Sequence, residues 1–452
     1  MSSDTQTQAP AELTVDVGPV AHGGHCVARH EGRVVFVRHG IPGEKVRVRL
    51  TESGPDAKFW RGDVVEVLEA SPDRVAHFWD LADSARSWSH RHPPVGGAEF
   101  GHISLARQRT LKAEVLAEQL PRLAGVDVAH AGDGVTVEAV GESGAAAAGL
   151  AWRTRAGFAV TPAGKLGMHA HRSDTVLPVR EMPLAADAIN ALRLWDIDLQ
   201  GIERVEVAAP ANGSRPLVLL YPAEGTRAKR LSAVLAQLPD DVSVASVDPV
   251  KGEVLRLRGR TYVQETAAGH DYRVTGDGFW QIHRDAPDTL VGAVTGFLHD
   301  GGFLEAGSVV ADLYAGAGLF TAPLAAAVGA TGSVLSVEGS PGTSRDARKN
   351  LHDAPQVEIV QGRVERVLRD KARTFDAILL DPPRAGAGKA VVNQLAGAGP
   401  RAVAYVSCDP ASFARDLGYF QQAGWELKGL RAFDLYPHTH HMETVALLTP
   451  RA

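Results

Sequence analysis

Residues 309–320 read VVADLYAGAGLF, an apolar run that breaks into small residues and turns into the helical pattern LFTAPLAAAV (319–328). The alternation continues to the end of the chain. SVLSVEGS (333–340) is followed by SRDARKNLHD (344–353), VEIVQG (357–362) by a short helical stretch, and FDAILLDPPRAG (375–386) by RAVAYVSCDP (401–410). A helix over SFARDLGYFQQAG (412–424) then leads to strands around WELKGLRAFDLY (425–436) and METVALLTP (442–450). Apolar strands alternating with helices predict a doubly wound α/β sheet, its parallel strands covered on both faces. The last two strands, joined by a short connection, are expected as an antiparallel edge pair.

Upstream the rhythm differs. Between Leu13 and about Arg74 come short bursts of period-2 alternation, among them HCVARHEG (25–32), RVVFVRHG (33–40) and KVRVRLTES (45–53), separated by glycine, proline and charged turns. This predicts a small antiparallel, OB-like β-barrel. Val34 and Phe36 beside arginines suit an oligonucleotide-binding barrel, and equally an ordinary barrel with solvated arginines. From Val75 to Ala268 the pattern is a mixed sheet with few interior helices: one amphipathic helix over SLARQRTLKAEVLAEQL (104–120), an exposed turn in HAGDGVTVEAVGESGAAAAGL (130–150), and strands in WRTRAGFAV (152–160), RVEVAA (204–209), PLVLLY (216–221) and VLRLRGRTYVQET (254–266). The expected domains are therefore 8–74, a barrel; 75–268, a mixed, sheet-rich central domain; and 269–452, the doubly wound, Rossmann-like α/β domain.

Composition narrows the class. The 452 residues are 44% hydrophobic, enough for more than one core. A formal charge of −6 does not advertise nucleic-acid binding, although a basic groove can coexist with an acidic remainder. No apolar run approaches the roughly 18–20 residues that span a bilayer, so no membrane is expected as a partner. The polar start MSSDTQTQAP lacks the pattern of a signal peptide. With only Cys26 and Cys408, a disulfide framework is not expected, and a cytoplasmic, reducing compartment fits. The chain is expected to act as a monomer.

In an open α/β sheet, ligands bind outside the carboxyl ends of the strands. The small residues around Gly316 let a ligand approach the backbone, and Glu338 ends the next strand about twenty residues on, where a carboxylate accepts ribose hydroxyls. Those two features serve a dinucleotide or an adenosyl cofactor alike. Asp381-Pro382-Pro383-Arg384 separates them, because two prolines fix a rigid loop that can hold Asp381 and a flat heterocycle in register. Cys408 ends the following strand, just before a helix whose dipole favours a thiolate. Taken alone, Cys408 reads as a small buried hydrophobe; its place beside the cofactor crevice makes it a candidate nucleophile. Glu443, before the last strand, is a candidate base. His438, His440 and His441 lack a matching cysteine or carboxylate cluster, so no metal is expected.

Together these motifs resemble the class I, S-adenosylmethionine-dependent RNA uracil-5-methyltransferase family, and the resemblance covers nearly the whole chain. ADLYAGAGLF, SVEGS and DPPRAG match its methyltransferase motifs, SCDPASFARD its nucleophile motif and HMETVALL its closing motif. AHGGHCVARHEGRVVFVRHGIPGEKVRVRL resembles the TRAM domain that many members carry for RNA binding. The resemblance implies that Gln281 (in GFWQIH), Tyr314, Glu338 and Asp381 contact S-adenosylmethionine, with Cys408 and Glu443 catalytic. It also implies a transfer or ribosomal RNA substrate. Carbon 5 of uracil is too weak a nucleophile to take a sulfonium methyl; adding a cysteine to carbon 6 makes an enolate that can, and a base must then remove the carbon 5 proton. Relatives with a TRAM domain often hold an iron–sulfur cluster through four cysteines. Here the comparable stretch reads Val95-Gly96-Gly97-Ala98, and no cluster is expected. His283, Asp409 and Arg363 also depart from the family pattern. The competing readings are methylation at another RNA base position, and a non-catalytic RNA-binding or RNA-folding protein that retains the fold.

Overall fold

A computed structural model describes residues 12–54, 56–126, 134–141, 147–370 and 373–451. The chain divides into two compact units. One holds residues 12–115 with His169–Thr175 and Pro437–His440; the other holds the remainder. Among the described residues the strands form four sheets.

The first unit contains β1 (Glu12–Asp16), β2 (Cys26–His30), β3 (Arg33–Arg38), β4 (Lys45–Glu52) and β5 (Phe59–Glu69), in the spatial order β1-β4-β5-β3-β2. The sheet curls on itself: the Gly18 N–H donates to Val27 O at 2.9 Å, bringing the segment after β1 back to β2. Alternate residues supply the core, with Val35, Val37, Val46 and Val48 fully buried, as a period-2 pattern requires. Most pairs are antiparallel as expected; β3 with β5 is parallel. Gly62 marks a close strand crossing, because a Cβ there would lie 2.7 Å from Arg49 O.

The second unit carries a sheet of β7 (Arg155–Val160), β8 (Leu166–His169), β9 (Val176–Pro178), β10 (Ile202–Ala208), β11 (Leu217–Pro222), β12 (Ser243–Val247) and β13 (Val254–Arg258), ordered β13-β12-β11-β10-β7-β8-β9. It is mixed, since β11 and β12 run parallel while β10 with β11, β10 with β7, β12 with β13 and β7 with β8 are antiparallel. VLRLRGRTYVQET divides between β13 and β14 (Tyr262–Ala267), and β14 forms a hairpin with β15 (His270–Thr275) across position 268.

The same unit holds the doubly wound sheet: β16 (Val309–Leu313), β17 (Ser333–Glu338), β18 (Val357–Gln361), β19 (Ala377–Leu380), β20 (Ala402–Ser407), β21 (Trp425–Asp434) and β22 (Glu443–Pro450), joined by β6 (Val137–Ala139). The order is β18-β17-β16-β19-β20-β22-β21-β6. Strands β16 to β20 are parallel, and β22 slots antiparallel between β20 and β21. The expected edge pair is therefore corrected. The pair is antiparallel, yet β6 covers β21, from a glycine- and alanine-rich stretch where a turn was expected. Three residues are too few to show a period; only the backbone groups left open on β21 select them. Parts of 130–150 lie outside the described residues. No helix among the described residues is long and apolar enough to cross a membrane.

Candidate active site

The parallel strands end together, and so do the residues they carry. Tyr314 follows β16, Glu338 closes β17, Asp381 follows β19 and Cys408 follows β20. Backbone bonds fix the turn: Ala315 N–H donates to Val337 O at 3.0 Å, and Asp381 N–H to Leu313 O at 3.2 Å. Tyr314 and Gly316 both adopt left-handed backbone conformations, at φ 66° and 56°. A Cβ on Gly316 would meet nothing within 4 Å, so the turn faces open space. Glu338 is held in place by accepting from Gly316 N–H at 2.8 Å and Ser340 N–H at 2.5 Å.

Below that turn lies a second carboxylate that the sequence analysis passed over. Asp312 is fully buried, with Oδ2 accepting from the Thr321 hydroxyl at 2.5 Å and Oδ1 buried without a partner. Burial pushes its pKa up to about 7. Burial, then the charge of Asp312, raises Asp381 likewise to about 7. Among the described residues neither has an arginine or lysine in an ion pair.

Gln281 is buried at 4% exposure. The segment after it is stitched to the strand region of the central sheet, with Thr154 N–H donating to Ile282 O at 2.8 Å and Arg284 N–H to Trp152 O at 2.9 Å. The half-buried Arg155 supports the turn before it, Nη1 donating to Gly278 O at 2.6 Å. His283 stacks on Trp152, centroids 5.6 Å apart, and accepts through Nδ1 from Asp285 N–H. Burial lowers its pKa to about 4, so the ring is neutral and packs as a flat polar plate.

Cys408 and Glu443 come together through strand register. Ser407 pairs with Thr444 across β20 and β22, and the next residue on each strand is Cys408 and Glu443. Glu443 is 4% exposed; its Oε1 accepts from the Tyr436 hydroxyl at 2.9 Å, while Oε2 is buried with no partner. Burial, with the nearby charge of Asp381, raises its pKa to about 8. Burial and the charge of Glu443 push the half-buried Cys408 thiol up to about 12, opposed by Arg384. The thiolate expected from the helix dipole is therefore not the resting state. Burial is the main reason and Glu443 the next; Asp409 adds least, capping the helix Pro410–Gln422 by accepting from Ser412 N–H at 2.7 Å and so placing a carboxylate at its N-terminus. As an N-cap, aspartate serves as well as the family's asparagine.

Asp416 is the other residue the sequence analysis missed. Its Oδ2 accepts from Tyr405 OH at 2.8 Å and Ala387 N–H at 2.7 Å, clamping the loop that follows the two prolines. The signal was a single acidic residue in the buried stripe of Phe413, Leu417 and Phe420. Arg363 stands 85% exposed and pairs with Glu365 at 3.8 Å. His440, read as lacking a carboxylate neighbour, pairs with Glu99, remote in sequence.

The strand edge fits S-adenosylmethionine on its own chemistry. Open space stands before Gly316, an anchored carboxylate suits ribose hydroxyls, and burial raises the pKa of both Asp312 and Asp381 where a cation would relieve them. Comparison with known proteins agrees. Residues 8–65 match the TRAM domain and residues 305–451 the tRNA (uracil-5-)-methyltransferase family. An uncharacterized RNA methyltransferase of Streptomyces avermitilis is 45% identical over 98% of this chain and 99% of its own. The 23S rRNA (uracil(1939)-C(5))-methyltransferase RlmD of Edwardsiella ictaluri is 30% identical over 95% of this chain and 94% of its own. The crystal structure of Pyrococcus abyssi tRNA (uracil-54, C5)-methyltransferase with S-adenosyl-L-homocysteine shares the fold, with TM-score 0.68, 20% identity, and 96% and 99% of the two chains covered. With nearly full-length likeness, both domain matches and the cofactor-fitting strand edge, the chain belongs to the S-adenosylmethionine-dependent RNA uracil-5-methyltransferase family, with an N-terminal TRAM domain.

Proposed function

We propose that the protein methylates carbon 5 of a uridine in transfer or ribosomal RNA through a covalent adduct between Cys408 and carbon 6. The observation that supports this best is the pair at the end of β20 and β22: a strand-end thiol beside a buried glutamate with one oxygen held and the other unclaimed. When bound, S-adenosylmethionine supplies the methyl group and a positive sulfonium charge. Gln281, Tyr314, Gly316, Glu338 and Asp381 are the residues that would hold it.

The chain's own groups then divide the work. The half-buried Cys408 thiol gives its proton to solvent and Sγ adds to carbon 6, moving the ring's electron pair onto carbon 5 and its enolate oxygen. Arg384 is the cation whose charge favours the anionic forms of both Cys408 and Glu443. Once carbon 5 carries the methyl group, Glu443 Oε2 takes its proton. The C–H pair re-forms the ring double bond, the carbon–sulfur bond breaks, and the thiolate departs. A raised pKa makes the carboxylate a stronger base for that step. Tyr436 fixes Oε1 and so turns Oε2 toward the reaction.

Substitution separates the steps. Glu443→Gln keeps the size but cannot take the proton, so an enzyme–RNA complex should accumulate and survive denaturing electrophoresis. Cys408→Ala should form none and lose at least about 10⁴-fold in rate, the order seen when a nucleophile is removed. An adduct formed by Cys408→Ala on RNA carrying 5-fluorouridine would end this reading. Mass analysis of RNA from a deletion strain, seeking the missing methyl group, identifies the base, the position and the RNA together.

A further inference from the structure

The barrel's unit contains a cavity of about 280 Å³ that holds none of the residues of the candidate active site. At ~30 Å³ per water this is roughly nine waters, room for a phosphate with its sugar and too little for a duplex. Its walls come from the outward face of the barrel and from remote chain. Arg38 comes from β3, Arg61 and Asp63 from β5, and Glu52 stands opposite Arg61 on β4, while Phe36 and Phe59 share those strands outside the walls. Arg172 closes the rim.

The charges are arranged rather than cancelled. Glu52 pairs with Nη1 of both Arg61 and Arg172. Asp63 takes Arg38 in a two-pronged bond at 2.8 and 3.0 Å and the Trp88 Nε1–H at 3.1 Å. Two carboxylates thus orient three guanidiniums, and the hydrogen bonds they make leave donors over on Arg61 and Arg172. Two imidazoles sense the surplus. His25 and His171 are held near pKa 4, by burial first and then by Arg38, with Arg172 adding to both. His25 Nε2 is buried without a partner. Beside the cavity is an aromatic surface: Arg61 lies 4.6 Å over Phe59, which meets Phe36 edge-on at 5.2 Å, and Phe36 meets His25 at 6.2 Å. Phe59 is 37% exposed and so leaves part of its ring open at the surface.

We infer that this cavity binds one nucleotide of single-stranded RNA, its phosphate between Arg61 and Arg172 and its base on Phe59. The inference rests on RNA being the substrate, and it assigns the nucleotide to a place other than the catalytic pocket. Arginine with aromatic neighbours is the combination that grips a backbone and tolerates any base. The neutral imidazole of His171, on the cavity wall, can hydrogen-bond a ribose 2′-hydroxyl, the group that distinguishes RNA from DNA. Other barrel arginines are already committed: Arg38 to Asp63, and only 11% exposed, while Arg47 and Arg49 pair with Glu66 and Glu12.

Binding of a fluorescent oligouridylate to the full-length protein, titrated over a range of salt, tests this. Arg172→Ala should weaken binding several-fold and lower the logarithmic salt slope by about 0.7, one phosphate on a single strand, and Arg172→Lys should restore the slope. Phe59→Ala should weaken binding by roughly 5- to 150-fold, the range for one stacked base, with the slope unchanged. Wild-type affinity and slope in both variants would overturn the site, as would an affinity loss in Arg172→Ala with the wild-type slope. Unchanged affinity in Phe59→Ala would overturn the placing of the base. Both variants should still form the Cys408 adduct with saturating 5-fluorouridine RNA. Failure of the wild-type protein to form it would break the catalytic reading while leaving the oligouridylate titration to judge the cavity.

Discussion

Two buried glutamates, Glu44 in the barrel and Glu443 at the edge of the parallel sheet, meet opposite fates. Glu44 is 1% exposed and saturated: Arg74 donates Nε at 2.6 Å and Nη2 at 2.7 Å, and the backbone N–H groups of Ile41 and Ser71 add 2.9 and 3.2 Å bonds. Glu443 is 4% exposed and has one hydroxyl donor, no paired guanidinium, and an unclaimed oxygen. Desolvation costs the fold in both places, and only the barrel offsets it with donors to both carboxylate oxygens. A carboxylate that holds structure is worth most when its lone pairs are filled. One that takes a proton must keep a lone pair empty, and it keeps a high pKa as a result.

The contrast can be broken most forcefully at Glu44. Glu44→Gln strands the Arg74 guanidinium, and breaking a buried pair from one side typically costs about 3–5 kcal/mol. Thermal melting should show the loss directly, whereas Glu443→Gln should show none. A Glu44→Gln protein as stable as wild type would mean that saturation of that carboxylate contributes nothing.

Glu338 tests the cofactor side of the sheet edge. Glu338→Ala removes the acceptor for the ribose hydroxyls and should weaken S-adenosylmethionine binding by about 1–3 kcal/mol, roughly 5- to 150-fold. Calorimetry on the protein without RNA measures this, and unchanged affinity would remove Glu338 from the site.

Tyr436→Phe sharpens the comparison by making Glu443 shorter of donors still. The hydroxyl stabilises the charged carboxylate, so its loss raises the Glu443 pKa further above about 8. The rising limb of the pH–rate profile should move to higher pH by about one unit, with about a tenfold fall in rate at neutral pH where proton removal limits turnover. A lower rate with an unmoved profile would mark Tyr436 as packing alone.

The smallest expected effect concerns stability and has a definite sign. The Glu443 pKa rises from 4.5 unfolded to about 8 folded, so the folded state holds the proton more tightly. Stability from this group is full below pH 4.5 and falls as pH climbs toward 8. Asp312 and Asp381, raised from 3.8 to about 7, act in the same direction. Glu443→Gln should therefore melt higher than wild type at pH 8, with the gap closing toward pH 4.5. A gap that widens in acid would reverse the assignment.

How much of this could be read from the chain depends on how local the cause is. Tyr314, Glu338, Asp381 and Cys408 were legible because each directly follows or closes an apolar strand, and parallel strands in one sheet deliver their carboxyl ends to one edge. Asp312 and Asp416 were not. Their buried environments come from elements far away, and an acidic residue inside an apolar stretch looks locally like any interruption. Strand β6 was read as a turn for the same reason, since its pairing with β21 joins Val137 to Ala432.

The sequence by itself determined the succession of strands and helices, the residue types at the strand ends and the likeness to one family, because short-range periodicity and motif order survive without coordinates. Only the tertiary structure decided that β22 lies between β20 and β21, and that register alone sets Glu443 beside Cys408. It also decided which carboxylates are saturated and which are left short, and it brought Arg172 to a cavity built on β3, β4 and β5. Pairing register and burial are sums over contacts distant in the chain, which no window along the sequence contains.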